Sequence, residues 1–304
     1  MERLESIADK LEAISFDTHA PRYLESRREP RAGDVAMFGV PFDGTTSFRP
    51  GARFGPDHIR TASIVLESYS PEQDLDLADI GYCDLGNLEV AMGPPTPMVE
   101  RVEQATRTLL ECGLVPLMLG GEHSVTTGAV AAVKARYPDL LLVQLDAHAD
   151  MRESYLGQAH NHACTMTRCM EIVGADSLVQ IGIRSGLREE FAAMRQGHRL
   201  VPPGPSATMA AQVAELIARR GERPIYLTVD LDVFDPGVLP GTGTPEPGGI
   251  AWPDFAAILQ AIPRRIVAGD VVELSPVLDP TGASAVYAAK VARELALRLA
   301  NDPR

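Results

Sequence analysis

The 304-residue sequence is poor in cysteine, in long apolar runs and in concentrated positive charge. Its cysteines are Cys83, Cys112, Cys164 and Cys169, and no Cys-x-x-Cys pair occurs. A disulfide framework calls for denser cysteine in a shorter chain, so a reducing, cytoplasmic setting is expected. No stretch of about 18 apolar residues is present, which excludes a membrane-spanning helix. The opening residues are charged and carry no apolar signal core. The formal charge is −13, and no Lys/Arg-rich block interrupts it. Binding a phosphate backbone needs a basic face, so nucleic acid is not an expected partner. An acidic chain suits a small cationic substrate or metal ions, although acidity mostly serves solubility. No composition break and no short-period repeat divides the sequence. A hydrophobic content of 45% over this length supports one large core.

What is present is alternation. Apolar runs that read as strands occupy 34–40, 114–119, 141–145, 178–183, 224–230 and 266–273, with extended segments in 78–90. Helical spacing fills the intervals: from Pro56 to about 66, 97–111, up to about 137, from near 162, 188–197, 206–220, 253–261 and 281–299. Strands alternating with helices predict an α/β fold, a three-layer α/β/α sandwich with a mostly parallel central sheet. One domain over 1–304 is expected. Its first 33 residues form an amphipathic helix at 2–14 and an irregular, Pro-containing arm. The loop 41–51 is rich in Gly, Pro and Thr, and it is too long for a simple connection. Such loops are often functional.

Polar residues cluster where predicted strands end, and open parallel sheets bind ligands there. Asp146, His148 and Asp150 follow the run at 141–145. Their i, i+2, i+4 spacing points them the same way if the extended conformation persists. Asp230 and Asp232 follow the run at 224–230 with the same spacing. His123 follows Gly120-Gly-Glu beyond the run at 114–119. Any one of these alone reads as a helix cap, a turn former or a satisfied polar residue. Together they place four carboxylates and two imidazoles in one crevice, which requires compensating cations. Two divalent ions balance four carboxylates, and two-metal sites need shared carboxylates. The oxygen-rich set favours Mn²⁺ over Zn²⁺. Asp235 precedes a proline and reads as a turn former. Asp57, Asp84 and Asp270 read as structural.

At these residues the sequence resembles the ureohydrolase family of arginases, agmatinases and their relatives. The matching motifs are Gly120-Gly-Glu-His-Ser124, Asp146-Ala-His-Ala-Asp150 and Asp230-Leu-Asp-Val-Phe-Asp-Pro236. Pro240-Gly-Thr-Gly-Thr-Pro245, Val272-Glu-Leu-Ser-Pro276 and the early Arg49-Pro-Gly-Ala-Arg-Phe-Gly-Pro56 match too, in the family's order. Glu122 departs from the commoner Asp and keeps the charge. The resemblance implies two Mn²⁺ per subunit and hydrolysis of a guanidino group to urea plus an amine. It implies His123, Asp146, Asp150 and Asp230 around one ion. Asp146, His148, Asp230 and Asp232 surround the other, with Asp146 and Asp230 shared. The ions so implied would supply an acidified water as the nucleophile for the guanidinium carbon. By the same resemblance Asp150 would accept the remaining proton, His162 would protonate the leaving amine, and Glu273 would pair with the guanidinium. His160 is expected to be a loop residue.

The loop 151–157 lacks the Asn/Thr/Ser-rich sequence with which arginases grip an amino acid. It looks more like bacterial agmatinases, as does 183–188. Agmatine, with a cationic tail, is therefore the expected substrate, and guanidinobutyrase or arginase activity is the alternative. Glu153 could meet the tail, although a solvated Glu is the simpler reading. Two other classes share the fold: a metal-binding protein without catalysis, and a zinc deacylase. His162 and Glu273 argue against the first, and the second full ligand set argues against the other. The family resemblance also implies a trimer or hexamer.

Overall fold

The computed structural model describes residues 6–12 and 14–302. Its strands in chain order are β1 (Phe16–Asp17), β2 (Val35–Val40), β3 (Tyr69–Ser70), β4 (Leu75–Asp76), β5 (Tyr82–Leu88) and β6 (Val115–Gly120). They continue as β7 (Leu141–Leu145), β8 (Leu178–Ile181), β9 (Leu200–Val201), β10 (Ile225–Asp230) and β11 (Ile266–Val272). Nine of them form one sheet in the order β1-β5-β2-β6-β11-β10-β7-β8-β9, while β3 and β4 make a separate hairpin. Every pairing in the large sheet is parallel except β1 on β5.

Helices cover both faces, which explains why the strands read as unbroken apolar runs rather than as alternating ones. Successive side chains of a strand point to opposite faces. Val35 and Met37 of β2 join one core, and Ala36, Phe38 and Val40 join the other. The helices α2 (Gly55–Ser63), α7 (Ser206–Ala218), α8 (Trp252–Ala261) and α9 (Ala283–Asn301) cover the first face. The second face carries α1 (Ile7–Glu12), α3 (Thr96–Glu111), α4 (Thr126–Arg136) and α5 (Thr165–Val173). The remaining helix, α6 (Arg188–Gln196), lies beside β8 and β9, with Met194 packed near Ile183. Among the described residues no helix is long and apolar enough to cross a membrane.

Two sequence expectations change. Of the helix expected over 2–14, Ile7–Glu12 is helical, and residues 2–5 and 13 lie outside the described residues. The irregular arm is firmly docked. Phe16–Asp17 adds an antiparallel edge strand to β5. Tyr23 is fully buried, and its hydroxyl donates to the Ala289 carbonyl at 2.7 Å while its N–H donates to Asp84 at 2.8 Å. A polar stretch gives no periodic signal, because its stability comes from single long-range contacts.

Chain order and sheet order part company at the centre. The chain runs from β6 through α4 into β7, yet β11 and β10 lie between these two strands. The C-terminal ends of β6, β11, β10 and β7 therefore stand side by side; Asp230 is the last residue of β10, and the other sequence-expected polar residues follow these ends.

Candidate active site

Gly121 explains how β6 delivers His123. A Cβ there would lie 1.9 Å from the Phe42 carbonyl oxygen. The glycine lets the loop 41–51 pass directly over the strand end, where Gly121 N–H donates to Val40 and Glu122 N–H to Phe42. His123 then begins a short turn at the entry of α4 and is fully buried. Its Nδ1 stands 3.1 Å from Asp146 Oδ2, 3.2 Å from Asp150 Oδ2 and 3.3 Å from Asp230 Oδ2. Its Nε2 lies 2.9 Å from Thr228 Oγ1, whose hydroxyl donates to Asp270 Oδ1 at 2.6 Å. Asp270 also accepts from Thr126 and Tyr226. This buried chain places the Nε2 proton toward Thr228 and turns Nδ1 to the carboxylates. Asp270 is structural, as expected, and its structural task is to aim His123.

The second imidazole sits across the same carboxylates. His148 Nδ1 is 2.8 Å from Asp232 Oδ2 and 3.8 Å from Asp146 Oδ1. Asp230 and Asp232 each spend one oxygen on a backbone N–H, of Asp232 and Ala147 respectively, and turn the other to a histidine. Asp146 belongs to both clusters able to hold an ion, His123/Asp146/Asp150 and Asp146/His148/Asp232. Its Oδ2 also accepts from Gln144 at 2.7 Å.

The electrostatics fit cations. Burial, with Asp150 and Asp232 close by, pushes Asp146 up to about 7. Burial and Asp232 and Asp146 push Asp230 well above the usual carboxylate range. Burial alone would lower His148, but Asp232, Asp146 and Asp150 carry it up to about 11. Asp232 is held below its ordinary value despite its burial, because His148 lies against it. So much buried negative charge demands positive charge. The donor set passes a direct test as well. His123 Nδ1 is buried without a hydrogen-bond partner, although three carboxylate oxygens lie within 3.3 Å. Burial alone would lower the His123 pKa, but Asp146, Asp150 and Asp230 raise it well above its ordinary value, and a ring nitrogen and three carboxylate oxygens converging on one point form the donor set of a cation site.

Beside this cluster lies a cavity of about 170 Å³, lined by His148, Asp150, Asp230, Asp232, His162 and Glu273 among others. Larger grooves run along the N-terminal arm and hold none of these residues. Glu273 follows β11, its N–H donating to Gly121 O and its Oε1 accepting from His123 N–H at 2.7 Å. Burial and the nearby Glu122 raise it well above its ordinary value. Asp150 and Glu273 both adopt left-handed backbone, with φ of 52° and 68°. Non-glycine residues in that region often mark functional sites. His162 opens the turn before α5 and reaches the cavity wall. Burial lowers its pKa. His160 does not line the cavity, and Glu153 pairs with Arg168 on the surface.

Sequence reasoning gave no site role to Ser47, Arg152, Tyr155 or Thr244, all of which line the cavity. It also gave none to Thr45, Arg184 or Glu246. Arg184 clamps the chain behind the site by donating to the carbonyls of Gly182, Asp232, Val233, Phe234 and Glu246. The signal for Thr45 and Ser47 was the length of the loop 41–51 and its richness in Gly, Pro and Thr.

Comparison with known proteins places the whole chain in a family. The Arginase family profile matches residues 33–297. The agmatinase of Bacillus subtilis (strain 168) is 36% identical over 278 residues, covering 90% of this chain and 95% of that protein. The N(1)-aminopropylagmatine ureohydrolase of Thermococcus kodakarensis is 39% identical over 264 residues, covering 84% and 88%. The crystal structure of agmatine ureohydrolase of Thermoplasma volcanium superposes with a TM-score of 0.82 at 33% identity, covering 96% of each chain.

Proposed function

This chain belongs to the arginase family and is an enzyme of the ureohydrolase class; from that premise we propose that it hydrolyses agmatine to putrescine and urea with two Mn²⁺ per subunit. The observation that carries the reading is the buried, unpartnered His123 Nδ1 facing three carboxylates, one of which, Asp146, is shared with the His148/Asp232 cluster. His123, Asp146, Asp150 and Asp230 would hold one ion, and Asp146, His148, Asp230 and Asp232 the other. When bound, the ions supply an acidified nucleophilic water and neutralise the carboxylates. The oxygen-rich donor set favours manganese.

The chain's own groups do the rest. Glu273 offers a carboxylate to a planar guanidinium at the end of the cavity, where charge-assisted pairing orients it. Asp150 takes the proton released at the nucleophile. His162 delivers a proton to the departing amine nitrogen, and its low basicity suits giving that proton up near neutral pH. The choice of agmatine rests on the loop 151–157 and on the relatives. The Thermococcus relative is named for a guanidino compound with a longer tail, so the tail is the less constrained part of the substrate.

The test is urea release by manganese-loaded protein from agmatine, N1-aminopropylagmatine, arginine, 4-guanidinobutyrate and guanidine. Agmatine is expected to be turned over best. Preference for another compound overturns the substrate, and no urea from any of them overturns the reaction. The proposal extends to a cytoplasmic trimer or hexamer. The described cysteines are free and buried, which suits a reducing compartment. Sedimentation of a monomer at micromolar concentration would overturn the assembly.

A further inference from the structure

His162 does not act alone. The loop 41–51 brings two hydroxyls to its ring, one to each nitrogen. Thr45 Oγ1 lies 3.3 Å from Nδ1, and Ser47 Oγ lies 3.1 Å from Nε2. Thr45 is buried and fixed from several sides. Its N–H donates to Glu122 Oε2 at 2.7 Å, and its hydroxyl donates to Glu122 Oε1 at 2.6 Å. Its carbonyl accepts from Asn161 Nδ2 at 3.5 Å. The loop itself is pinned by Asp43, which accepts from the N–H groups of Gly51 and Arg53.

A threonine hydroxyl has one proton and two lone pairs. The proton of Thr45 goes to Glu122, the shortest of its contacts. Two acceptor positions remain, and two nitrogens approach them: the backbone N–H of His162 at 3.2 Å and the ring Nδ1. An unprotonated Nδ1 would set its lone pair against an oxygen lone pair. The arrangement is satisfied only when Nδ1 carries the proton.

We infer that Thr45, held by Glu122, is a positioning residue that fixes His162 as the Nδ1–H tautomer, so that Nε2 is the nitrogen that gains and gives the catalytic proton at the cavity. This rests on the reading of His162 as the group that protonates the leaving amine. In the resting ring Nε2 accepts from the Ser47 hydroxyl. Once it gains the proton that Asp150 has taken from the nucleophile, Nε2–H faces the cavity and passes that proton to the departing nitrogen, and the ring returns to the Nδ1–H form. Glu122 stands behind the hydroxyl as a buried acceptor, the relation that orients a metal-binding or catalytic imidazole elsewhere. The departure from Asp to Glu at this position therefore has a consequence: the longer side chain is the one that meets both Thr45 groups and the Ser124 hydroxyl.

Ring nitrogen chemical shifts of 15N-labelled protein read the tautomer directly on the metal-free chain, and with 7 histidines the His162 signals are assigned by their loss in His162→Ala. The native chain is expected to show Nδ1–H. In Thr45→Val the tautomer shifts toward Nε2–H, and kcat of the manganese-loaded protein falls about 10–100-fold. KM and metal content should hold to within about twofold. Thr45→Ser, which keeps the hydroxyl, should restore both tautomer and rate. An Nε2–H tautomer in the native chain overturns the inference without any variant. So does a tautomer change in Thr45→Val that leaves kcat intact. Native kcat in His162→Ala removes instead the role of His162 on which the inference rests.

Discussion

Asp230 and Asp235 belong to one acidic motif, yet their surroundings assign them opposite tasks. Asp230 is almost fully buried, with Oδ2 3.3 Å from His123 Nδ1. Asp235 accepts the N–H groups of Gly237, Gly248 and Gly249 and ties two turns of a loop together. Asp230→Ala is expected to lose bound manganese and urea release, measured by elemental analysis and by assay. Asp235→Ala should keep its metal and lose about 1 kcal/mol of stability in a denaturant titration. Equal metal retention in the two variants would contradict the shared role of Asp230. At this scale the sequence shows acidic residues and histidines well, because i, i+2 spacing after an apolar run is unusual. It does not show Thr45, Thr228 or Arg184. Their residue types are common everywhere, and their meaning lies in a partner 77, 42 or about 50 positions away.

The elements were legible to within a few residues, and their ends depended on side-chain capping. The last helix, expected over 281–299, is Ala283–Asn301. Gly282 precedes it with φ 76°, and Asp279 accepts from the N–H of Thr281 and of Ser284 in the first turn. Burial alone would raise Asp279, but the hydrogen bonds from Ser284 and Thr281 hold it down at about 2. A carboxyl depressed in the folded chain contributes stability above its unfolded value of 3.8 and loses it as pH falls through about 2. Asp279→Ala should therefore cost about 1–2 kcal/mol at neutral pH, with the cost shrinking steadily as the pH falls below 4. Chemical denaturation of both chains across that range checks it, and a pH-independent difference would remove the carboxylate from the account. The hairpin of β3 and β4 and the short strand β9 escaped the sequence reading. Two-residue strands carry too few side chains for a period to register.

For the molecule as a whole, the cost of gathering four carboxylates sets its dependence on cations and pH. In the metal-free chain Asp146 lies near 7, above its ordinary 3.8, and His148 near 11, above 6.5. Both folded values are raised. The contribution of Asp146 is complete below 3.8 and lost as pH rises through about 7; that of His148 is complete below 6.5 and lost through about 11. After chelation the thermal midpoint should fall between pH 5 and pH 8, and added Mn²⁺ should raise it most at pH 8, where protons compete least for the same oxygens. A chelated protein with a flat profile would contradict this. By itself the sequence determined the layer architecture, since strands buried on both faces are mostly apolar and alternate with helices. It also singled out the carboxylates and imidazoles, since ionisable groups gathered at the ends of apolar runs stand out against them. Only the tertiary structure decided that β11 and β10 slip between β6 and β7. In that order His123 lies within 3.3 Å of Asp146, Asp150 and Asp230, and Ser47 of the loop 41–51 joins the cavity wall beside them. The physical reason is that strand order is chosen by packing between elements far apart in the chain, and no local period of the sequence records it.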